Sequence, residues 1–345
     1  MKKILFVLLL FFSVGFSFLH IASLQPTHFP APQYALPTLS DSSKIELGRL
    51  LFYDAALSRD SSISCSSCHS PYNAFAHTDH DLSHGIDNQI GLRNAPALFN
   101  LAWQSVFMWD GAIHHIEVQA AAPISHPKEM GSSIAEMVSR LSTSPFYRNE
   151  FYAAFGDSII SGEKSLLALS AFQLSLVSSQ SKYDKVLQGL DSYTPMEAKG
   201  FELFRQHCRS CHVDPLFSTY AFASNQLPVD TSLMDMGRMA ITEAKKDSLL
   251  FKIPSLRNLS YSYPYMHDGR FVKLRQVLDH YSCRSLQSPE GQKRNLPSFT
   301  SNEKTEIIAF LLCLDDLAFV QNKKHQFPKK LLPERREATR MSSKN

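Results

Sequence analysis

Two short runs bring together the most reactive side chains of this sequence: Cys65-Ser66-Ser67-Cys68-His69 and Cys208-Arg209-Ser210-Cys211-His212. Two thiols three positions apart sit within one helical turn, where they can reach the two vinyl groups of a single porphyrin. The histidine that follows at once is then held beneath the iron as its proximal ligand. One such pair alone would also suit a redox dithiol or half of a zinc site. Two copies, each completed by histidine, point to two covalently bound c-type haems, one on His69 and one on His212.

The sixth ligand of each iron decides what the centres do. A carrier fills both axial positions, whereas a catalyst must be able to open one to substrate. The chain holds 10 Met and 14 His, so counting candidates does not choose among them. Tyr281 is better marked, because it shares an apolar helical stripe with Leu274, Val277 and Leu278. An inward ring with a polar tip is equally what a core tyrosine looks like.

The elements that must position these groups read as mainly α, with long loops and little β structure. Ser43-x-x-Glu46 and Ser133-x-x-Glu136 have the form of capping boxes at helix starts. Residues 163–178 are strongly apolar and predict a buried helix. Thr194-Pro195-Met196-Glu197 combines an N-cap, a first-turn proline and a capping glutamate, and opens a helix that runs into the second Cys pair. Further helices are expected from Phe271 and from about Asn302. Segments 70–105 and 213–265 are rich in Pro, Asn, Asp and Ser, and loops this long need a large body to wrap; a haem supplies one. The polar stretch Gln180–Asp191 suggests a boundary between two cytochrome c-like haem domains, residues 25–185 and 186–322.

The ends have their own character. Lys2 and Lys3 precede the apolar run Ile4–Phe12, which reads as an export signal or a short anchor over residues 1–24. That places the body of the protein in the periplasm, where bacterial c-type haem is attached, with an N-terminal membrane tether as the alternative. Residues 323–345 form a basic tail expected to be solvated. The charge balance, 35 basic against 32 acidic residues, is too even and dispersed for nucleic acid. Cys283 and Cys313 are left over and, in an exported protein, form a candidate disulfide.

With both motifs in place, the chain resembles the bacterial dihaem cytochrome c peroxidase family, and within it the MauG-like branch. The resemblance covers about residues 45–315. It rests on Leu47-Gly48-Arg49-Leu50-Leu51-Phe52-Tyr53-Asp54, Gly91-Leu92-Arg93-Asn94-Ala95-Pro96, Met108-Trp109-Asp110-Gly111, Glu117-Val118-Gln119-Ala120 and Glu129-Met130-Gly131. The second half adds Phe251-Lys252-Ile253-Pro254-Ser255-Leu256-Arg257-Asn258, Met266-His267-Asp268-Gly269-Arg270 and His280-Tyr281.

The resemblance implies that the His69 haem is the peroxide site and the His212 haem an electron relay. It implies that Glu129 is the distal acid–base group, that Gln119 lines the same pocket, and that Trp109 carries electrons between the haems. It further implies a calcium ion at Asn94, Ser262 and Pro264, with Ser262 standing where threonine is usual. Tyr281 occupies the place of a methionine in typical peroxidases and of a tyrosine in MauG-like proteins; Met266 is the alternative ligand of the second iron. His84 falls near the histidine that closes the first iron at rest in some members, with His77 and His80 as rivals. The main reading is an exported peroxidase that reduces hydrogen peroxide to water with electrons from a small donor such as a cytochrome c or cupredoxin, with a homodimer as the candidate assembly. One alternative is a MauG-like oxidase that forms a high-valent dihaem state to oxidise a partner protein. The other is a non-catalytic electron-transfer cytochrome, which would have no use for a distal acid.

Overall fold

A Cβ placed on Gly48 would collide with the Ala168 carbonyl oxygen, and one on Gly200 with the Glu306 carbonyl oxygen. Each glycine marks a point where two helices cross backbone to backbone, and these two crossings organise the fold. In this computed structural model, which describes residues 25–287 and 293–333, the main helices are α1 (Ser42–Tyr53), α2 (Ile134–Ser142), α3 (Pro145–Phe155), α4 (Gly162–Leu174), α5 (Lys182–Leu187), α6 (Pro195–His207), α7 (Leu274–Tyr281) and α8 (Ser301–Leu312). Helix α1 crosses α4 at Gly48, and α6 crosses α8 at Gly200.

The two crossings repeat one design. The Gly48 Cβ position also abuts Phe172, and that of Gly200 abuts Phe310. Leu47, Leu50, Leu51 and Phe52 bury one face of α1 against Leu169 and Phe172. Leu203 and Phe204 of α6 bury theirs against Ile307, Phe310 and Leu311. Each fully buried Leu or Phe contributes roughly 1.5–3 kcal/mol, so each crossing is a local core. The first core also takes in Leu216, Tyr220, Phe319 and Val320 from the second half of the chain.

Local sequence explains most of the boundaries. Ser133 caps α2 by accepting the Glu136 amide, and Thr194 with Glu197 forms the reciprocal box at α6. At α1 the expected Ser43 cap is not used: the helix starts at Ser42, after Asp41. Helix α4 ends at Leu174 rather than 178, because the chain turns so that the Ser179 and Gln180 amides reach Asp316 Oδ2, both at 2.8 Å. Helix α7 begins at Leu274 rather than 271, since Phe271 is engaged in a bridge with Tyr265. Among the described residues, strand structure is confined to two antiparallel ribbons, β1 (Phe222–Ala223) with β2 (Phe251–Lys252) and β3 (Ser285–Gln287) with β4 (Lys293–Asn295).

Three expectations are revised. The polar stretch at 180–191 is not a bare linker: it folds as α5, and Asp184 within it is completely buried in an ion pair with Arg257. The segment from Lys323 is not solvated throughout. Leu331 is fully buried in the first core, and the Tyr53 hydroxyl donates to the His325 carbonyl at 2.6 Å. Cys283 is exposed and Cys313 buried, both as free thiols, because Cys313 ends α8 inside the second half while Cys283 lies on the turn after α7. The export segment at 1–24 and the chain end at 334–345 lie outside the described residues.

Candidate functional site

Each Cys-x-x-Cys-His run folds the same way. The His69 amide donates to the Cys65 carbonyl and the His212 amide to the Cys208 carbonyl, both at 3.0 Å. His69 Nδ1 then donates to the Phe75 carbonyl at 2.8 Å, and His212 Nδ1 to the Phe217 carbonyl at 3.1 Å. Phe75 and Phe217 both hold left-handed backbone, φ 59° and 54°, which turns each carbonyl back onto its ring. A histidine whose Nδ1–H is engaged in this way keeps its Nε2 lone pair for a metal. Burial pushes both imidazoles down to about 4, so both are neutral at physiological pH.

The far side of the first motif is built from two loops. Residues 126–131 form a tight turn in which the Glu129 and Gly131 amides both donate to the His126 carbonyl. Gly85 packs so closely on this turn that a Cβ there would strike the backbone of Lys128 and Glu129, and the Ile86 amide donates to the Glu129 carbonyl at 2.7 Å. Cys68 Sγ lies 3.3 Å from the His84 carbonyl. Burial pushes the Cys68 thiol up to about 11, and the Glu129 carboxylate adds to the rise, so that carboxylate lies within electrostatic reach of the haem-attachment pair. Glu129 is itself raised above the usual carboxylate range by burial, against the pull of His126 3.8 Å away. Its side chain remains 43% exposed, so protons can reach it.

All three candidate histidines gather here. His77 and His80 meet edge to face at 5.4 Å, and His80 stacks on His84 at 4.0 Å. His84 Nδ1 is 3.2 Å from Asn88 Oδ1, whereas His77 Nδ1 is buried without a partner.

Around the second motif the chain encloses a cavity of about 310 Å³. His212, Cys208 and Cys211 form part of its wall, with Phe204, Leu278 and Ile307 among the apolar residues. A dry recess beside two thiols and a neutral histidine suits a porphyrin. Tyr281 and Met266 both line it, as do Trp109, Gln119, Asn94, Ser262 and Pro264. Gln119 thus lines the cavity that holds Trp109 and His212, and Glu129 is not among its lining residues. Trp109 is pinned twice: its indole N–H donates to the Asn94 carbonyl at 2.9 Å, and its own carbonyl accepts the Lys252 amide at 2.7 Å. The indole is therefore clamped between a loop of the first half and strand β2 of the second. The Asn94 amide nitrogen Nδ2 is committed to the Asp81 carbonyl at 2.9 Å, which leaves Oδ1 as an oxygen donor of the kind calcium takes.

The profile of the di-haem cytochrome c peroxidases matches residues 42–192. Over a longer span, the methylamine utilization protein MauG of Methylophilus methylotrophus is 35% identical across 84% of this chain and 87% of that protein. The chain belongs to the di-haem cytochrome c peroxidase family. The cytochrome c551 peroxidase of Nitrosomonas europaea is 33% identical over 91% of this chain and 92% of its own. Among solved structures, a MauG-like protein associated with microbial copper homeostasis superposes with a TM-score of 0.78 at 30% identity, covering 88% of this chain and 98% of that one. This family member is accordingly an oxidoreductase with two haem cofactors. No helix among the described residues is long and apolar enough to cross a membrane.

Several residues that support the dihaem peroxidase site have roles that the sequence did not disclose, although Lys252 and Arg257 stand in one of the blocks that carry the family resemblance. Arg257 is wholly buried and grips Asp184 with two nitrogens, at 2.8 and 2.7 Å. It also donates to the Pro215 carbonyl, two residues before the carbonyl that orients His212. Lys252 places its ammonium between Gln104 Oε1 and the Val106 carbonyl, at 2.5 and 3.0 Å, and burial pushes it down to about 7. Asn225 lies in an irregular loop, and only the fold brings its Nδ2 to Met266 Sδ, 3.3 Å away. Partners 73 and 42 positions away, as for Arg257, leave no periodic trace.

Proposed function

We propose that the protein reduces hydrogen peroxide at the haem carried by His69, with electrons relayed from the haem carried by His212. The observation that carries this reading is Glu129: a carboxyl group of raised pKa, held by a tight turn within electrostatic reach of the first attachment pair. When bound, the haem supplies the iron at which the peroxide O–O bond is cleaved. The chain does the proton work. Glu129, as carboxylate, accepts a proton from the inner peroxide oxygen and returns it to the outer one, so that water can leave. Phe75, through its carbonyl, fixes the tautomer of His69 and strengthens it as a donor. Trp109, clamped between Asn94 and Lys252, bridges the two halves along the electron path, and Gln119 lines the cavity at its side.

The two halves serve as haem domains, 25–185 peroxidatic and 186–322 electron-transferring, with α5 and the segment after Leu317 holding them together. Asn94 Oδ1 and the carbonyls of Ser262 and Pro264 hold a calcium ion beside Trp109. His84 closes the first iron at rest, supported by its place on the loop that Gly85 packs against Glu129. Export to the periplasm, a small cytochrome c or cupredoxin as donor, and assembly as a homodimer complete this reading.

Tyr281 favours a second reading, a MauG-like oxidase acting on a partner protein. The phenol lines the cavity with His212 and sits within the electrostatic reach of Cys211 and Cys208, which supports it as a ligand of the second iron, and a phenolate ligand would hold that iron oxidised.

Stopped-flow spectroscopy of the purified holoprotein with hydrogen peroxide, before and after partial reduction, tests both. Peroxide consumption with reoxidation of an added donor cytochrome supports the peroxidase. Oxidised haem that persists without donor turnover supports the oxidase. Glu129→Gln should slow peroxide cleavage about 10²–10⁴-fold with both haems retained; unchanged cleavage refutes the role given to Glu129.

A further inference from the structure

Tyr220 lies in the loop that follows His212 and lines the same cavity. Its ring is buried, and its hydroxyl meets no hydrogen-bond partner among the described residues. A buried hydroxyl left without a partner is costly and uncommon, and other polar side chains of this wall avoid it. The Ser255 hydroxyl donates to the Leu216 carbonyl at 2.6 Å, that of Ser262 to the Asn258 carbonyl at 3.0 Å and that of Tyr265 to the Leu259 carbonyl at 2.9 Å. His267, on the same wall, shares the condition of Tyr220: its Nδ1 is buried and equally unpartnered.

The phenol is not loosely placed. The Thr219 amide donates to the Cys211 carbonyl at 3.0 Å, the Tyr220 amide to Ser218 Oγ at 2.8 Å, and the Ile253 amide to the Ala221 carbonyl at 2.9 Å. Between these anchors Tyr220 holds left-handed backbone, φ 54°, which bulky residues rarely adopt. The loop thus ties the phenol, against strain, to a cysteine of the attachment pair. Burial raises the phenol above its ordinary value, against the pull of Arg257, so it stays protonated and acts as a donor.

A porphyrin offers such a donor few acceptors. Its faces are apolar, its ring nitrogens face the iron, and the two cysteines take its vinyl groups; what remains are the two propionate carboxylates. A hydroxyl donating to a carboxylate makes a charge-assisted bond, stronger than a neutral one. We propose that Tyr220 binds a propionate of the second haem, its hydroxyl donating to a carboxylate oxygen. This rests on the reading that His212 carries that haem. The bond offsets part of the negative charge beside the iron, so it also raises the potential of the second haem.

The test uses the full holoprotein and two readouts independent of turnover: the propionate bending mode in the resonance Raman spectrum, and the reduction potential of each haem. Tyr220→Phe keeps the ring and loses only the donor. The bending mode should move to lower frequency and the second haem's potential should fall, with the first haem's potential unchanged. Exchange into D₂O should shift the mode in the parent and shift it less in Tyr220→Phe, a difference that loss of packing would not produce. If Tyr220→Phe keeps the parent mode and potentials, or shows the parent's isotope shift, the propionate bond is refuted; a change confined to the first haem refutes it as well. The mass of the denatured parent separates the two levels. Two attached haems with a silent Tyr220→Phe sink only the Tyr220 contact, whereas a parent without haem on Cys208 and Cys211 sinks the His212 haem and the contact together.

Discussion

Replacing Asp184 by asparagine isolates one charge at the point where three distant segments meet. Asp184 Oδ2 accepts from Arg257 Nη1 at 2.8 Å and from the Ser181 amide and hydroxyl at 2.9 and 2.6 Å. Oδ1 accepts from Arg257 Nη2 at 2.7 Å and from His28 Nε2 at 2.8 Å. Both partners of the Arg257 pair are 0% exposed. Asparagine keeps the shape but leaves the guanidinium buried without a counter-charge and turns an N–H group toward donors. Breaking a buried pair in this way costs about 3–5 kcal/mol, and at roughly 2–4 °C per kcal/mol the melting midpoint should fall by roughly 6–20 °C. The loss should be felt first at the second haem, because Arg257 also holds the Pro215 carbonyl in the loop that orients His212. The pH dependence has a definite sign. Burial pushes the Asp184 carboxyl up, but the pairing with Arg257 overrides it and holds the group below its ordinary value. Its stabilisation is complete above the unfolded value of about 3.9 and is lost as pH falls through the depressed folded value. Denaturant titrations from neutral to acid pH, followed by the haem spectra, should therefore show parent and variant converging in acid. A loss under about 1 kcal/mol at neutral pH, or a gap that does not narrow in acid, would refute the reasoning.

Other outcomes follow from the same geometry. The raised carboxyl of Glu129 should place the acid limb of the peroxide kcat/KM profile above the ordinary glutamate value of about 4.3, and Glu129→Gln should abolish that limb; a parent profile flat through this range would exclude Glu129 as the base. Gly48→Ala and Gly200→Ala should each cost more than the usual 1–3 kcal/mol of overpacking, because the new methyl meets a helix carbonyl and not a flexible side chain; circular dichroism melts, with the two haem spectra as local probes, should assign each loss to its own half. Chelation of calcium should slow reduction of one haem by the other, with recovery on adding calcium and not magnesium, since the Asn94 side chain shares its residue with the carbonyl that holds Trp109.

The haem ligands were legible because the chemistry itself imposes a local spacing, and c-type attachment tolerates little else. Helix starts were legible where the cap is a short-range contact, as at Ser133 and Thr194. The Ser43 box was not, because the helix already begins at Ser42, after Asp41, whose carboxylate is taken up by the Thr38 amide and hydroxyl. The internal repeat escaped notice for a physical reason: each crossing needs one glycine and one aromatic, Gly48 with Phe172 and Gly200 with Phe310, and the remaining core positions accept any apolar residue of suitable volume. Polar positions deceived in the other direction. Asp184 and His325 sit in hydrophilic stretches that read as linker and tail, yet both are buried, paid for by partners that only the fold supplies.

That repeat bears on how one fold makes two unlike haems. The proximal sides are almost superimposable in their bonding: the same amide-to-cysteine contact, the same left-handed phenylalanine, the same neutral imidazole. Whatever separates a peroxide site from an electron store must then lie on the distal sides, where the halves share nothing. Beside the first motif lie a titratable carboxyl reachable by solvent and three histidines in a chain of ring contacts, one edge to face and one stacked. Around the second lie a tyrosine, a methionine and an amide that donates to its sulfur, in a recess lined largely by apolar side chains. Proton delivery needs the first environment, and a stable, closed iron needs the second. Exchanging the distal sets should exchange the roles, whereas exchanging the Cys-x-x-Cys-His runs should leave the roles where they are.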